Sequence, residues 1–233
     1  EKQLNEIKSR FVSMASHEFR TPLSTILSSA TLISKYTKTE DNDKRERHLR
    51  KIKDSVSHLN GLLEDFLSLG KLEEGKVTVS ISSFAVKEFM DDVIEEMKVI
   101  QKNGQQIIYN YKGEESFTTD KRLLKNILIN LFSNALKFSP ENSRVWIETE
   151  NSNQHLNVEI KDEGVGIPEE DQHHLFATFF RGKNVINIQG TGLGLPIVKR
   201  YIDLLKGDIS LHSELEVGTA VKFVLPKLKV GEF

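Results

Sequence analysis

Residues 16–23 read SHEFRTPL, so the imidazole of His17 is followed directly by the carboxylate of Glu18, with Thr21 one helical turn on and Pro22 beyond it. Three roles suit a histidine in that setting: metal ligand, nucleophile, or solvated residue on a helix that Pro22 bends. The metal reading needs a second histidine at the end of H-E-x-x-H, and that position is Thr21. The nucleophile and the solvated residue both survive. A free imidazole titrates at about pH 6.5, so at neutral pH it is mostly uncharged and able to attack an electrophile.

A second group of functional atoms lies more than a hundred residues away. In NILINLFSNALKF, Asn130 and Asn134 fall four apart on one helix face, with Lys137 and Phe138 just beyond. A carboxamide oxygen is a suitable ligand for Mg²⁺, which meets protein through one or two oxygens and completes its shell with water and phosphate. The plainer reading is two buried amides satisfied by backbone. DEGVGIP, at 162–168, sets Asp162 ahead of Gly164 and Gly166. A carboxylate there suits the exocyclic amine of adenine, with glycines allowing close backbone approach; alone, the stretch is also an ordinary turn. GTGLGL, at 190–195, offers Gly190, Gly192 and Gly194 before a helix start, where backbone N–H groups suit a polyphosphate. It is neither a Walker loop nor the opening of a Rossmann unit, because the Lys-Ser/Thr and the preceding strand are missing. Between these loops FATFFRG supplies aromatic residues and Arg181, which suits either a phosphate clamp or a cap on the base of a lid.

These groups need two different scaffolds. Leu4, Ile7, Phe11 and Met14 step by three and four, and the same beat returns at Leu49, Ile52, Val56, Leu59, Leu63 and Phe66. The polar cluster KTEDND at 38–43 separates them, predicting an antiparallel helical hairpin. A lone hairpin leaves a flank of its seam uncovered, so the expectation is a homodimer whose paired hairpins form a four-helix bundle. GKLEEGKVT then marks a boundary near residues 70–80.

Beyond it the period changes to two at Val145, Ile147 and Thr149, at Leu156, Val158 and Ile160, and at Val221, Phe223 and Leu225. Helical stretches intervene: FAVKEFMDDVIEEMKVI, RLLKNILINLFSNALKF, and PIVKRYIDLLKG, the last opened by Pro196 and closed by Gly207. The whole is α+β, an N-terminal hairpin followed over 81–228 by an α/β sandwich with a largely antiparallel, mixed sheet covered by helices on one face.

Composition narrows the classes. A chain of 233 residues with 38% hydrophobic and 28% charged residues has enough apolar material for two soluble cores. A net charge of −2 provides no field to gather nucleic acid or anionic lipid, and no basic stripe marks a nucleic-acid binder. The absence of cysteine excludes disulfides and thiolate metal sites and suits a reducing compartment, with the cytoplasm as the expectation. No apolar run is long enough to cross a bilayer, and EKQLNEIKSR has no signal-peptide core. Any membrane anchor or sensor is expected outside this sequence.

The order of the segments is more specific than any one of them. HEFRTPL, NILINLFSNALKF, DEGVGIP, LFATFFRG and GTGLGL closely resemble, in that order, the H, N, G1, F and G2 boxes of the sensor histidine kinases of two-component signalling. The resemblance covers essentially the whole chain. It implies a dimerisation and histidine phosphotransfer domain over 1–72, a linker over 73–80, a catalytic ATP-binding domain of the gyrase, chaperone and histidine kinase type over 81–228, and a tail over 229–233.

It also implies roles. His17 takes the γ-phosphoryl group of ATP, Glu18 serves as general base, and Thr21 orients water for dephosphorylating the partner regulator. Asn134 binds Mg²⁺ and Asn130 supports the nucleotide; Lys137 contacts phosphates, Phe138 packs nearby and Asp162 reads adenine. Gly164, Gly166, Gly190, Gly192 and Gly194 shape pocket and lid, and Arg181 assists at the γ-phosphate. The implied partners are a second copy of the chain and a response regulator receiver domain, whose Asp receives the phosphoryl group. Two rivals share features: water-using ATPases of the same nucleotide fold, and a nucleotide-binding dimeric scaffold without catalysis. The ATPases place a Glu one turn before the magnesium Asn to activate water, where this chain has Asn130. The scaffold does not account for a full set of catalytic residue types.

Overall fold

A computed structural model of the chain describes residues 2–185, 188 and 190–229, without the side chains of residues 2–15, His17 and Lys183. The chain divides into two compact units, the first ending at Lys71 and the second starting at Leu72.

The first unit is a hairpin of two long helices, α1 (Lys2–Lys35) and α2 (Asn42–Glu73), joined through a 3₁₀ turn at Thr39–Asp41. Phe19 stacks on Phe66 at 5.9 Å and Tyr36 on His48 at 5.8 Å, so the helices run antiparallel. The closed end is tied by the Arg45 guanidinium, which donates to the Tyr36 carbonyl and to Asn42, and by the Lys44–Asp41 ion pair. Helix α1 passes through Pro22 as one element, with Pro22 buried and its lost amide bond absorbed without a break.

The expected apolar seam of α2 is two stripes. Ile52, Leu59 and Phe66 lie on the inner side with buried Ser55, Leu62 and Leu69, which are seven residues apart. Leu49, Val56 and Leu63 lie outward and are 42–50% exposed. Their spacings of three and four alternate between the stripes, because one residue per turn can face either side of a two-helix contact. The side chains of Leu4, Ile7, Phe11 and Met14 lie outside the described residues.

In the second unit β1 (Ser82–Ala85), α3 (Val86–Met97), β2 (Gln106–Gly113), β3 (Ser116–Thr119) and α4 (Lys121–Phe138) precede β4 (Arg144–Asn151) and β5 (His155–Asp162). A one-turn α5 (Glu169–Gln172), then α6 (Gly194–Leu204), β6 (Asp208–Glu214) and β7 (Gly218–Pro226) complete it. Five strands form one sheet in the order β2-β4-β5-β7-β6, parallel between β2 and β4 and antiparallel elsewhere. Strands β1 and β3 pair separately.

Alternation along β4, β5 and β7 turns Val145, Ile147, Val158, Ile160, Val221 and Phe223 toward the core, where α4 packs on β5 and α6 on β6. Glu148, Lys161 and Lys222 are exposed at the alternate positions, so the helices cover one face, as the sequence pattern predicts. Helix α4 starts at Asp120, whose buried carboxylate accepts from the Arg122 and Leu123 amides. It buries Leu123, Leu124, Ile127, Leu128, Leu131, Phe132, Ala135 and Leu136. At about 1.5–3 kcal/mol for each large side chain, packing rather than helix propensity holds it.

Two boundaries differ from the sequence reading. Phe84 and Ala85, expected to open a helix, instead pair with Phe117 and Ser116, since the short β3 offers a partner that periodicity does not reveal. Helix α6 begins at Gly194, with Pro196 inside the first turn where a missing N–H has no partner to lose. At its other end Lys206, not Gly207, takes the left-handed conformation (φ 58°), while the Gly207 amide reaches back to the Ile202 carbonyl. Gly207 is small for another reason: a methyl there would overlap the Val224 carbonyl.

Candidate functional site

The helical period of α4 sets Asn126, Asn130, Asn134 and Lys137 on a half-buried face, opposite the apolar residues that anchor the helix. Asn130 donates its Nδ2 to the Asn126 carbonyl at 3.0 Å, which aims Oδ1 away from its own helix. What it meets is Gly194, the first residue of α6. A methyl built there would stand 2.9 Å from Asn130 Oδ1 and 3.9 Å from Asn134 Nδ2. The N-cap residue is Leu193, whose side chain offers no cap to this end of α6. Lys137 Nζ lies 5.0 Å over the Phe138 ring and within 2.9 Å of the place a Gly190 methyl would occupy.

The last residue of β5 closes the other side. Asp162 is buried, and the amides of Gly164 (2.8 Å) and Thr219 (3.2 Å) both donate to its Oδ1. Oδ2 has no donor among the described residues and is the oxygen left for a ligand. Burial raises the carboxyl to a pKa of about 6 against the opposing effect of those two amides. Gly164 is required by space, as a methyl would lie 2.6 Å from Asp162 Oδ1 and 3.0 Å from the Phe138 carbonyl. Gly166 (φ 64°) sits against the Glu214 carbonyl, and its own carbonyl accepts from Asn184 Nδ2 at 2.8 Å. Gly192 (φ 67°) is pressed against Phe179 and Phe180, with the Phe179 amide donating to its carbonyl at 3.1 Å.

Thus, within the second unit, Asn130 and Asn134 approach Gly194, Lys137 approaches Gly190, and Asp162 and Phe138 flank Gly164, while Gly166 packs on Glu214 and Gly192 on Phe179 and Phe180. Arg181 is differently engaged. Its Nη2 donates to the carbonyls of Val185 (3.2 Å) and Ile188, so it braces the loop that carries it. In the first unit Glu18 is half-buried on α1, and Thr21 is exposed with its carbonyl accepting from Thr25 Oγ1 at 3.1 Å. The His17 backbone lies in α1, and its side chain falls outside the described residues.

The sequence reading missed the residues that steady Asp162. Ser213 Oγ accepts from the Ile167 amide (2.9 Å), donates to the Gly218 carbonyl (2.9 Å) and lies 2.8 Å from Thr219 Oγ1. Gln172 bridges the Ile167 and Ser213 carbonyls. The only sequence signal was Gly218-Thr219 opening the last strand.

A buried carboxylate with one open oxygen, carboxamides at a helix start and an ammonium beside a glycine are groups that suit a purine nucleotide with its phosphates. Among the described residues no cluster of three or more His, Asp or Glu is placed to hold a metal ion. Among the same residues no helix is long and apolar enough to cross a membrane.

Comparison with known proteins gives two family matches. A model described as "Histidine kinase-, DNA gyrase B-, and HSP90-like ATPase" matches residues 119–229, and one described as "His Kinase A (phospho-acceptor) domain" matches residues 7–75. Signal transduction histidine-protein kinase BarA of Escherichia coli (strain K12) is 34% identical over 93% of this chain, which spans 24% of BarA. Hybrid signal transduction histidine kinase B of Dictyostelium discoideum is 33% identical over 95% of the chain, which spans 12% of it. The chain thus corresponds to a fraction of these relatives' length. The solved histidine kinase AdeS of Acinetobacter baumannii shares the fold, with a TM-score of 0.71, 23% identity, and coverage of 91% of this chain and 98% of that one.

Proposed function

The chain belongs to the sensor histidine kinases of two-component systems, and from that premise we propose that it is a kinase core which phosphorylates His17 from ATP and passes the group to a response regulator. What supports this reading is that Asp162 closes on Gly164, Lys137 on Gly190, and Asn130 and Asn134 on Gly194. Asp162 Oδ2 accepts from the adenine amine. Lys137 meets the phosphates, and Asn134 supplies an amide oxygen to Mg²⁺, with Asn130 holding the rim of the pocket beside Gly194. Mg²⁺ contributes neutralisation of phosphate charge.

The chemical step exchanges one bond for another. A ring nitrogen of His17 forms a bond to the γ-phosphorus as the bond to the bridging oxygen breaks, and ADP leaves. The proton on the other nitrogen is held by Glu18, which stabilises the positive charge that develops on the ring, a contribution of about 10² to 10⁴ in rate. Asn130 stands where the water-using relatives carry a carboxylate base, which favours transfer to His17 over hydrolysis.

Arg181 was expected at the γ-phosphate. Its Nη2 bonds to Val185 and Ile188 brace the loop, and a phosphate contact would fall to the other N–H groups of the guanidinium.

The hairpin supports a homodimer. Leu23 and Leu27 on α1 (54% and 70% exposed) and Leu49, Val56, Leu63 and Leu67 on α2 form apolar stripes that a second hairpin would cover. The receiver domain of a response regulator is the acceptor, and Thr21, one turn after His17, orients water for removing the phosphoryl group from it. Unchanged removal by Thr21→Ala would sink that last role.

The deciding experiment is incubation with γ-labelled ATP and Mg²⁺. Wild type should gain an acid-labile, alkali-stable label that then moves to a purified receiver, and His17→Gln should stay unlabelled. Label persisting on His17→Gln, or none on folded wild type, overturns the proposal.

A further inference from the structure

The carboxyl end of α4 is capped from a distant part of the chain. A helix leaves its last four carbonyls without intrahelical donors, yet each carbonyl from Ala135 to Pro140 has one here. Ala135 accepts from the Ser139 amide and hydroxyl, and Phe138 from the Val165 amide at 3.2 Å. Those of Leu136, Lys137, Ser139 and Pro140 are served by two side chains of the turn before β2. Lys102 Nζ donates to Lys137 O (2.7 Å) and Ser139 O (2.6 Å). Gln105 Nε2 donates to Leu136 O (3.0 Å), Ser139 O (3.2 Å) and Pro140 O (3.1 Å).

The turn that delivers them is itself fixed. Gln105 Oε1 accepts from the Lys102 amide at 2.8 Å, Gln101 Nε2 donates to the Gln105 carbonyl, and the Asn142 amide donates to the Asn103 carbonyl. Gly104 (φ 71°) has no room for a side chain beside Asn142.

The capped turn carries Lys137. An ammonium near a helix carboxyl end is drawn to the terminal carbonyls and to the negative end of the dipole. Lys137, whose own carbonyl Lys102 holds, carries the ammonium of that last turn, and the structure sets it 2.9 Å from the place a Gly190 methyl would occupy. We propose that Lys102, steadied by Gln105, is a positioning residue of the nucleotide site: it occupies the carboxyl end of α4 so that Lys137 stays directed to Gly190 and the phosphates. The inference rests on the nucleotide reading above.

The test is a double-mutant cycle on the full chain, with Mg²⁺–ATP affinity read by calorimetry and adenosine affinity by NMR titration. Lys102→Met should weaken ATP binding about three- to tenfold, the scale of a charge acting at a helix end. In a Lys137→Met background the same change should cost less than about twofold, because the residue it acts through is gone. Adenosine, which lacks phosphates, should bind Lys102→Met as it binds wild type. Unchanged ATP affinity in Lys102→Met, additive penalties, or an equal loss for adenosine would overturn the positioning role while leaving the kinase reading intact. Wild type binding adenosine but not ATP would overturn both.

Discussion

Asn130 Oδ1 stands 2.9 Å from the point where Gly194 would carry a β-carbon, so the middle of α4 and the first residue of α6 meet with no side chain between them. The same approach brings the Asn134 carboxamide to 3.9 Å from that point. Glycine at 194 is therefore a matter of space rather than of backbone conformation, in contrast to Gly166 and Gly192, which have positive φ.

Gly194→Ala should accordingly fold and bind ATP more weakly. Alanine favours a first helical turn over glycine by up to about 1 kcal/mol, so thermal stability should hold or rise. The methyl must displace the Asn130 amide, and ATP affinity by calorimetry should fall by about tenfold or more. Retained affinity would mean that the carboxamides do not line the nucleotide.

Asp162 makes binding depend on pH. Its carboxyl, raised by burial to about 6, must be ionised to accept the adenine amine through Oδ2. ATP affinity should therefore fall as pH drops through about 6, with one proton taken up as ligand leaves. Without ligand the sign reverses. The folded pKa lies above the ordinary 3.8, so this group's contribution to stability is fully present below about pH 4 and is lost as pH rises through about 6. Asp162→Asn keeps an acceptor for the Gly164 and Thr219 amides but turns an NH₂ toward the ligand's own donor. It should bind weakly at every pH and lose both slopes, as followed by calorimetry and urea unfolding. A slope that persists in Asp162→Asn assigns the proton to another group.

The placement of the candidate residues was legible in the sequence where it follows local period. Asn130 and Asn134 share a face because α4 is a helix, and Asp162 stands at a strand end because β5 alternates up to it. Ser213 and Thr219 were not legible, because pairing brings them to Asp162. Asp162 lies opposite Thr219 across β5 and β7, and Thr219 lies opposite Ser213 across β7 and β6. Alternation tells which face a residue takes but not which strand lies beside it. The cap by Lys102 and Gln105 was hidden for a similar reason, since a helix end states its need for donors without naming their source. Arg181 shows a complementary limit: a guanidinium beside a glycine loop suits phosphate and backbone carbonyls equally well, so the sequence leaves both roles open.

The two stripes of α2 give the remaining prediction its form. The inner seam of Ile52, Leu59, Leu62, Phe66 and Leu69 lies on the side of α2 where Phe66 stacks on Phe19 of α1. The outward residues Leu27 and Leu63, 70% and 50% exposed, contribute little to the hairpin itself. Replacing either with Glu should leave the helical circular dichroism of the chain unchanged while placing charge in the contact with a second hairpin, where an unpaired buried charge is costly. Light scattering should then give the dimer mass for wild type and the monomer mass for Leu27→Glu and Leu63→Glu. A wild type that scatters as a monomer would mean the stripes are covered within one chain, and variants that stay dimeric would move the interface to another face of the hairpin.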